Sequence, residues 1–292
     1  MGITRALVRT ARPRQWLKNV ALLAPLIFSG LLVVPGKLET VINAIVIFTI
    51  LTSSVYILND LLDLPADRKH PFKRMRPLPS GDLPVGVAVF AMMSGIIVSL
   101  SLAYAMNFFF FLIALAYFVL SGILYTLWFK QVPILDVITI ASGYVLRVYA
   151  GSVVIDAHMN VWFLLTVISL SLFLAVGKRR SEMTLLSGSG ETKEIRKTLK
   201  RYTEGLLDIY TAMFATATWL TYALFTFNQP KIFLGGKFLT LMSVLPRTFM
   251  NEKWLMITIP FVVYGVMRYL QLIYEKNEGE SPEKVLLSDK PL

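Results

Sequence analysis

The chain has 292 residues, of which 55% are hydrophobic and only 16% are charged, and its mean hydropathy is +0.63. This composition is too apolar for a soluble domain of that length and predicts an integral membrane protein. The absence of cysteine excludes disulfides and thiolate metal sites, and two histidines are too few for a zinc cage. The net charge of +11 does not by itself indicate nucleic-acid binding, because membrane proteins collect Lys and Arg in cytoplasmic loops.

Long apolar runs divide the chain into membrane spans. Since about 20 apolar residues cross the bilayer as a helix, we predict an all-α, polytopic membrane bundle of about eight helices, formed by one domain over residues 1–292. The spans cover roughly residues 18–34, 40–58, 84–105, 108–128, 134–154, 161–177, 205–227 and 254–274. A further apolar segment at 232–249 is interrupted by glycine, lysine and proline, which predicts an interfacial or re-entrant piece.

The distribution of basic residues predicts the orientation in the membrane. Of the 29 lysines and arginines, 22 lie in the loops that share a side with the N-terminus, and five lie in the opposite loops. This bias predicts that both termini and the polar loops 59–83 and 178–204 face the cytoplasm. The two loops could therefore form one site.

Oxygen ligands are concentrated where the second span ends. They are Asn59, Asp60, Asp63 and Asp67. Helical spacing places Tyr56 and the three carboxylates on one face, and Pro65 predicts that the helix ends near Asp63. Mg²⁺ prefers such oxygen ligands, especially when substrate phosphates complete its shell, and the basic residues that follow, among them Arg74, could hold the phosphates. The alternative is a solvated acidic loop paired with its own basic flank, although unpaired carboxylates at the end of an apolar span are costly.

A basic cluster ends the sixth span. It consists of Lys178, Arg179, Arg180 and Glu182, with Arg201 near the close of the following loop. One interpretation is a positive-inside anchor, in which Lys178 and Glu182 pair one helical turn apart. The other is a cradle for a second phosphate group, because arginine offers a bidentate fork and lysine a point charge.

Charged residues within or beside the spans add candidates. Arg147 lies midway through the fifth span, at a depth where a charge indicates function. Asp136 lies about three turns earlier on a similar face, so a structural tie between Asp and Arg of neighbouring helices is the alternative. Tyr125 and Lys130 end the fourth span, where Lys130 could be a ligand or a snorkelling anchor.

These motifs resemble a known family. The spacing of Asn59, Asp60, Asp63 and Asp67 after the second span resembles the first Asp-rich motif of the UbiA superfamily of intramembrane prenyltransferases. Other segments look like its decaprenyl-phosphate phosphoribosyltransferase (5-phosphoribose-1-diphosphate synthase) branch. They are Arg12–Asn19, Arg76–Gly81, Gly143–Arg147 with Ala150 and Gly151, Gly177–Glu182 and Arg268–Leu270. Ordinary members carry a second Asp-rich motif where this chain has its basic cluster.

The resemblance implies a reaction. It is the Mg²⁺-dependent transfer of 5-phosphoribose from phosphoribosyl pyrophosphate to a polyprenyl phosphate lipid in the inner membrane of a bacterium, with release of pyrophosphate. Asn59, Asp60, Asp63 and Asp67 would hold Mg²⁺ and carry the catalysis. The implied substrate-binding residues are Lys18, Arg74, Tyr125, Lys130, Arg147, Lys178, Arg179, Arg180, Glu182 and Arg201.

Two other functions are compatible with the residues. A conventional UbiA-type prenyltransferase would move a prenyl chain from its diphosphate to an aromatic or other acceptor, but the second Asp-rich motif is missing. A transporter of phosphorylated lipids would explain the spans and Arg147 but not the acidic cluster. Relatives of the branch continue past the Asp289–Leu292 ending into a ninth span, so we expect either a truncation or a bundle of eight.

Overall fold

The computed structural model describes residues 2–69, 73–188, 201–229, 253–275 and 289. Within these ranges the chain is predominantly helical and contains no strand. The segment at 232–249, for which we predicted a re-entrant piece, lies outside the described residues.

Eleven helices, counted over the described ranges, are labelled in chain order. They are α1 (Ile3–Thr10), α2 (Ala24–Phe28), α3 (Lys37–Leu62), α4 (Leu64–Lys69), α5 (Pro77–Ser80), α6 (Val85–Met106), α7 (Phe108–Leu127), α8 (Leu135–Val154), α9 (Val161–Gly188), α10 (Glu204–Asn228) and α11 (Ile259–Tyr274). A 3₁₀ segment, Pro13–Leu23, precedes α2, and a shorter one, Trp254–Thr258, precedes α11.

Six of the described helices are long and apolar enough to cross a membrane: α3, α6, α7, α8, α9 and α11 with its 3₁₀ start. They coincide with six of the predicted spans and confirm an all-α membrane bundle. The seventh predicted span forms the long helix α10. The number of eight transmembrane helices is not confirmed by these six.

The first predicted span, 18–34, is not a continuous helix, and that prediction was wrong. A 3₁₀ helix begins after the left-handed Arg12 (φ +54°) and continues into the short helix α2, which has Pro25 in its first turn, and the left-handed Gly30 (φ +73°) follows the end of α2. Proline removes a backbone donor and fixes φ, so an apolar composition alone does not produce one uninterrupted helix here.

The 3₁₀ segment has its own packing pattern. Three residues per turn align Trp16, Asn19 and Leu22 in one row, of which Asn19 and Leu22 are fully buried. The Trp16 Nε1 donates to Ser53 Oγ (3.0 Å), and Asn19 Nδ2 donates to Thr52 Oγ1 (3.2 Å), both on α3. This row fixes the N-terminal segment against the second span.

Close packing between the 3₁₀ segment and α8 depends on a glycine. A Cβ at Gly151 would lie 2.0 Å from the carbonyl oxygen of Leu22. No side chain fits that distance, so glycine permits the two backbones to approach. Leu22 then joins a buried hydrophobic core with Phe48 and Phe110.

Candidate active site

Two of the predicted carboxylates meet at one guanidinium group. Asp60 and Asp67 are 4% and 2% exposed, and Arg76 Nη1 lies 2.7 Å from Asp67 Oδ2 and 3.4 Å from Asp60 Oδ1. Arg12 Nη2 also donates to Asp60 Oδ1 (2.5 Å), and Lys73 Nζ lies 3.7 Å from Asp67 Oδ1. The buried carboxylates are therefore neutralised by arginines from the N-terminal segment and from the loop after α4.

The third carboxylate points elsewhere. α3 ends at Leu62, Asp63 follows as its C-cap, and Pro65 lies in the first turn of α4, where proline is tolerated. This confirms the helix end predicted near Asp63. The Asp63 side chain is 45% exposed and accepts from Lys130 Nζ at 2.8 Å, so the break in the helix separates it from Asp60 and Asp67.

The carboxylate oxygens of Asp60 and Asp67 are ligands of the type that Mg²⁺ prefers. Over the described residues, no group of three or more His, Cys, Asp and Glu side chains converges on one point. Asp60 and Asp67 nevertheless reach the same guanidinium nitrogen, so a cation already occupies the space between them. Two carboxylates completed by substrate phosphates are a usual arrangement for Mg²⁺, which keeps few protein ligands.

Arg179, expected to bind phosphate, lies in a buried ion-pair network. Its side chain is 2% exposed, Nε donates to Asp136 Oδ2 (2.7 Å), and Nη1 donates to Glu182 Oε2 (2.6 Å). Nη2 also donates to the Tyr125 hydroxyl at 3.3 Å. The tie between neighbouring helices that we considered for Asp136 thus exists, but its partner is Arg179 and not Arg147.

Arg180 is held in a similar way. Its Nε donates to Asp208 Oδ1 on α10 (2.6 Å), Glu204 Oε2 lies 3.6 Å from Nη2, and the guanidinium lies 5.3 Å from the ring centroid of Tyr274. These contacts join α9 to α10 and α11. Arg180 is therefore placed as a link between helices, a role that neither interpretation of this cluster predicted.

Tyr202 completes the network around Asp136. Its hydroxyl donates to Asp136 Oδ1 (2.9 Å) and accepts from the backbone N–H of Ile134 (2.6 Å), a residue with a left-handed backbone (φ +71°). Burial, together with the neighbouring carboxylate, raises the pKa of Tyr202 to about 12, so the phenol stays protonated and remains a donor. Sequence reasoning missed this role, because nothing in the local pattern links Tyr202 to α8.

Arg147 is buried without an acidic partner in the described part of the chain. It is 4% exposed, and its Nε, Nη1 and Nη2 donate to Asn19 Oδ1 (2.9 Å), the Gly143 carbonyl (2.7 Å) and the Tyr117 hydroxyl (2.9 Å). The guanidinium also lies over the Tyr117 ring (4.8 Å). Hydrogen bonds and an aromatic face solvate this charge but do not neutralise it.

Lys178 adds a further charge near Lys18. It is half-buried, the Glu182 carboxylate on the same helix attracts it, and Lys18 lies close enough for the two ammonium groups to repel each other. Lys18 Nζ and the Arg147 guanidinium lie 6.0 Å and 5.7 Å from the centroid of the same ring, that of Tyr144. Lys18, Arg147 and Lys178, the cationic triad, therefore concentrate positive charge that an anion would stabilise.

The end of α7 contacts both the acidic end, which consists of Asn59, Asp60 and Asp67, and the basic cluster on α9. A π-helical turn at Phe118–Leu124 precedes Tyr125 and Thr126, and such turns often occur at functional sites. Thr126 donates a hydrogen bond to Asn59 Oδ1, whereas the adjacent Tyr125 contacts Arg179. Two neighbouring residues thus join the two loops that the sequence predicted to share one site.

Two predicted substrate ligands are not brought into this site. The side chains of Arg74 and Arg201 are exposed, and neither forms an ion pair with another residue of the described ranges. Conversely, Arg12, Arg76 and Asn19 contact the predicted residues directly. Sequence reasoning gave Arg12 and Asn19 no role of their own and named Arg76 only among the basic residues that could hold phosphates. The signal was present, since all three lie in or at the start of segments that carry the family resemblance.

Comparisons with known proteins give the family and the fold of the chain. The profile of the UbiA prenyltransferase family matches residues 22–287. The chain is 32% identical to a decaprenyl-phosphate phosphoribosyltransferase of Corynebacterium glutamicum over 100% of this chain and 83% of that protein. It is also 32% identical to the protein of the same name from Mycolicibacterium smegmatis, over 100% of this chain and 89% of the relative. The fold matches a UbiA homologue from Archaeoglobus fulgidus bound to GPP and Mg²⁺, with a TM-score of 0.74, 21% identity and coverage of 97% and 93% of the two chains.

Proposed function

Since the chain belongs to the UbiA prenyltransferase family and is a membrane-embedded transferase, we propose that it transfers 5-phosphoribose from phosphoribosyl pyrophosphate to a polyprenyl phosphate. Pyrophosphate is released, and Mg²⁺ is required. The full-length similarity to two decaprenyl-phosphate phosphoribosyltransferases supports this donor and acceptor. The excess of Lys and Arg on one side supports a cytoplasmic site, where a water-soluble donor would arrive.

The observation that carries the proposal is the pairing of an acidic end with a cationic triad. Phosphoribosyl pyrophosphate has a diphosphate at one end and a phosphate monoester at the other. Asp60 and Asp67, with Asn59 adjacent in the chain and Asp63 turned towards Lys130, would supply oxygen ligands for a metal-bound diphosphate. Two cations supply charge for a phosphate monoester, either that of the donor or that of the lipid. They are Arg147, which has no carboxylate partner among the described residues, and Lys178, whose neighbouring carboxylate Glu182 is already bound by Arg179.

The chemistry needs positioning more than acid or base catalysis. An oxygen of the lipid phosphate attacks C1 of the ribose, and the bond from C1 to the diphosphate breaks, so that pyrophosphate leaves with the electron pair. The attacking oxygen is already ionised at neutral pH, so no general base is required. Mg²⁺, when bound, would neutralise the diphosphate as it departs. Alignment of the two phosphates and stabilisation of charge in the transition state can each lower the activation barrier by several kcal/mol, as an order of magnitude.

The neighbouring arginines have a different task in this proposal. Arg179 and Arg180 are saturated by carboxylates, so they hold α9 against α8 and α10 and thereby fix the position of Lys178. Tyr125 and Lys130 connect the end of α7 to both halves of the site. Lys178, rather than the two arginines beside it, would be the phosphate ligand of the basic cluster.

An assay of lipid labelling tests the proposal. Purified protein in detergent is incubated with Mg²⁺, a polyprenyl phosphate and radiolabelled phosphoribosyl pyrophosphate, and label in the lipid phase is counted with and without EDTA. We expect label that disappears with EDTA and a kcat/KM about 10- to 100-fold lower in Lys178→Gln, which loses one charged hydrogen bond to phosphate. The matched control is Arg68→Gln, an exposed arginine of the same side that makes no contact with the described site.

A conventional prenyl transfer is the second candidate, favoured by the fold shared with a UbiA homologue that binds GPP and Mg²⁺. The lipid-labelling assay distinguishes prenyl transfer from phosphoribosyl transfer. Absence of label in the lipid, together with consumption of a polyprenyl diphosphate, would overturn the phosphoribosyl proposal and support this one.

A further inference from the structure

The two arginines at the acidic end lie on the solvent side of the carboxylates. The side chains of Asp60 and Asp67 are 6% and 3% exposed, whereas those of Arg12 and Arg76 are 34% and 37% exposed. A divalent cation that comes from the cytoplasm would therefore meet guanidinium groups before it reached a carboxylate oxygen.

The charges at this end do not favour a metal ion by itself. Two carboxylates are faced by Arg12 and Arg76 within hydrogen-bonding distance and by Lys73 at 3.7 Å. The local sum is not negative, so a bare Mg²⁺ would gain little attraction and would have to displace an arginine that stays charged. A diphosphate changes this balance, because it gives the displaced guanidinium groups an anionic partner.

We propose that Arg12 and Arg76 are exchangeable counter-ions that make metal binding conditional on the diphosphate. In the described state they hold Asp60 and Asp67; when a diphosphate arrives, they turn to its oxygens and release the carboxylates to the metal. A planar guanidinium matches a carboxylate and a phosphate equally well, which makes the exchange feasible without a change of fold. This inference rests on the proposed function for the presence of a metal and a diphosphate.

The exchange has a thermodynamic signature. If metal and diphosphate each displace the same arginines from the same carboxylates, each must strengthen the binding of the other by the same factor. Arg76 is the stronger test because its Nη1 contacts both carboxylates, whereas Arg12 contacts Asp60 alone. Removal of the Arg76 charge should free the carboxylates for a metal and weaken the hold on a diphosphate.

The test measures binding without turnover. Mn²⁺ replaces Mg²⁺, and its free concentration over the detergent-solubilised protein is read by electron paramagnetic resonance in the absence of phosphates. We expect Arg76→Gln to bind Mn²⁺ about tenfold more tightly than the wild type, a factor within the usual range of coupling. Arg68→Gln removes an equal charge from the same loop and should bind as the wild type does. The double variant Asp60→Asn with Arg76→Gln should lose the gained site.

Retention of radiolabelled pyrophosphate supplies the second readout. With Mn²⁺ present, the wild type should retain pyrophosphate and Arg76→Gln should retain about tenfold less, because the guanidinium partner is gone. Arg76→Lys keeps the charge and should bind Mn²⁺ alone as weakly as the wild type, which provides the test if Arg76→Gln fails to fold. Equal Mn²⁺ affinity in wild type, Arg76→Gln and Arg68→Gln would overturn the inference, whereas a missing transfer of label to lipid would overturn the proposed function and leave these binding results intact.

Discussion

Replacement of Asp136 by alanine removes one of the two carboxylates that neutralise Arg179, a guanidinium with 2% of its surface exposed. Loss of one partner of a buried ion pair costs about 3–5 kcal/mol, because a charge remains in a medium of low dielectric constant. Glu182 stays 2.6 Å from the same guanidinium, so we expect the lower end of that range, about 3 kcal/mol in the free energy of unfolding. The hydroxyl of Tyr202 also loses its acceptor, which adds to the loss.

The measurement is equilibrium unfolding by denaturant in one detergent, compared between Asp136→Ala and Asp208→Ala. Asp208 pairs with Arg180 at a similar distance but has a side chain 40% exposed, so its loss should cost about 1 kcal/mol or less. A double variant, Asp136→Leu with Arg179→Met, removes both charges and should recover most of the stability. If Asp136→Ala were no more destabilising than Asp208→Ala, or if the double variant were worse than the single one, the buried network would not have the role assigned to it.

Three further predictions follow from contacts at the site. Asp60→Asn should abolish turnover in the lipid-labelling assay while the protein remains folded in detergent, since it removes a metal ligand and keeps the shape of the side chain, although the lost ion pairs to Arg12 and Arg76 lower its stability; full activity would exclude the metal role. Gly151→Ala should destabilise the protein by about 3 kcal/mol, because the new Cβ meets the Leu22 carbonyl at 2.0 Å; an unchanged melting temperature would contradict that packing. The stability advantage of the wild type over Tyr202→Phe should be constant below about pH 10 and should shrink as the pH approaches 12, because the pKa of this phenol is raised in the folded state; an advantage independent of pH up to 12 would argue against its bond to Asp136.

Much of the bundle could be predicted because bilayer thickness sets the length of an apolar run. The six described helices that can cross a membrane match runs that are continuous in the sequence. The first span could not be predicted in this way. Its apolar composition suits a helix, but Pro13, Pro25 and Gly30 affect the backbone angles, and a hydropathy average contains no information on those angles.

The sequence predicted which residues lie in the candidate site, but it did not predict which of them pair with one another. Helical spacing placed Asp60, Asp63 and Asp67 on one face, yet the break after Leu62 turns Asp63 towards Lys130. Sequence reasoning assigned the basic cluster to phosphate as a unit. The structure divides it, because Asp136, which pairs with Arg179, and Asp208, which pairs with Arg180, come from helices far away in sequence, and such pairing depends on how the helices pack.

The 3₁₀ segment Pro13–Leu23 has three residues per turn, so its side chains repeat with a period different from that of the neighbouring α-helices. In an α-helix the residues of one face repeat every 3.6 positions, but here Trp16, Asn19 and Leu22, of which the last two are buried, repeat every three. Insertion of three residues would restore the row, while insertion of one would turn it by a third of a circle and withdraw the amide of Asn19 from Arg147. A repeat of three residues thus governs the segment that supports Arg147. We expect insertions and deletions there to be tolerated only in multiples of three residues.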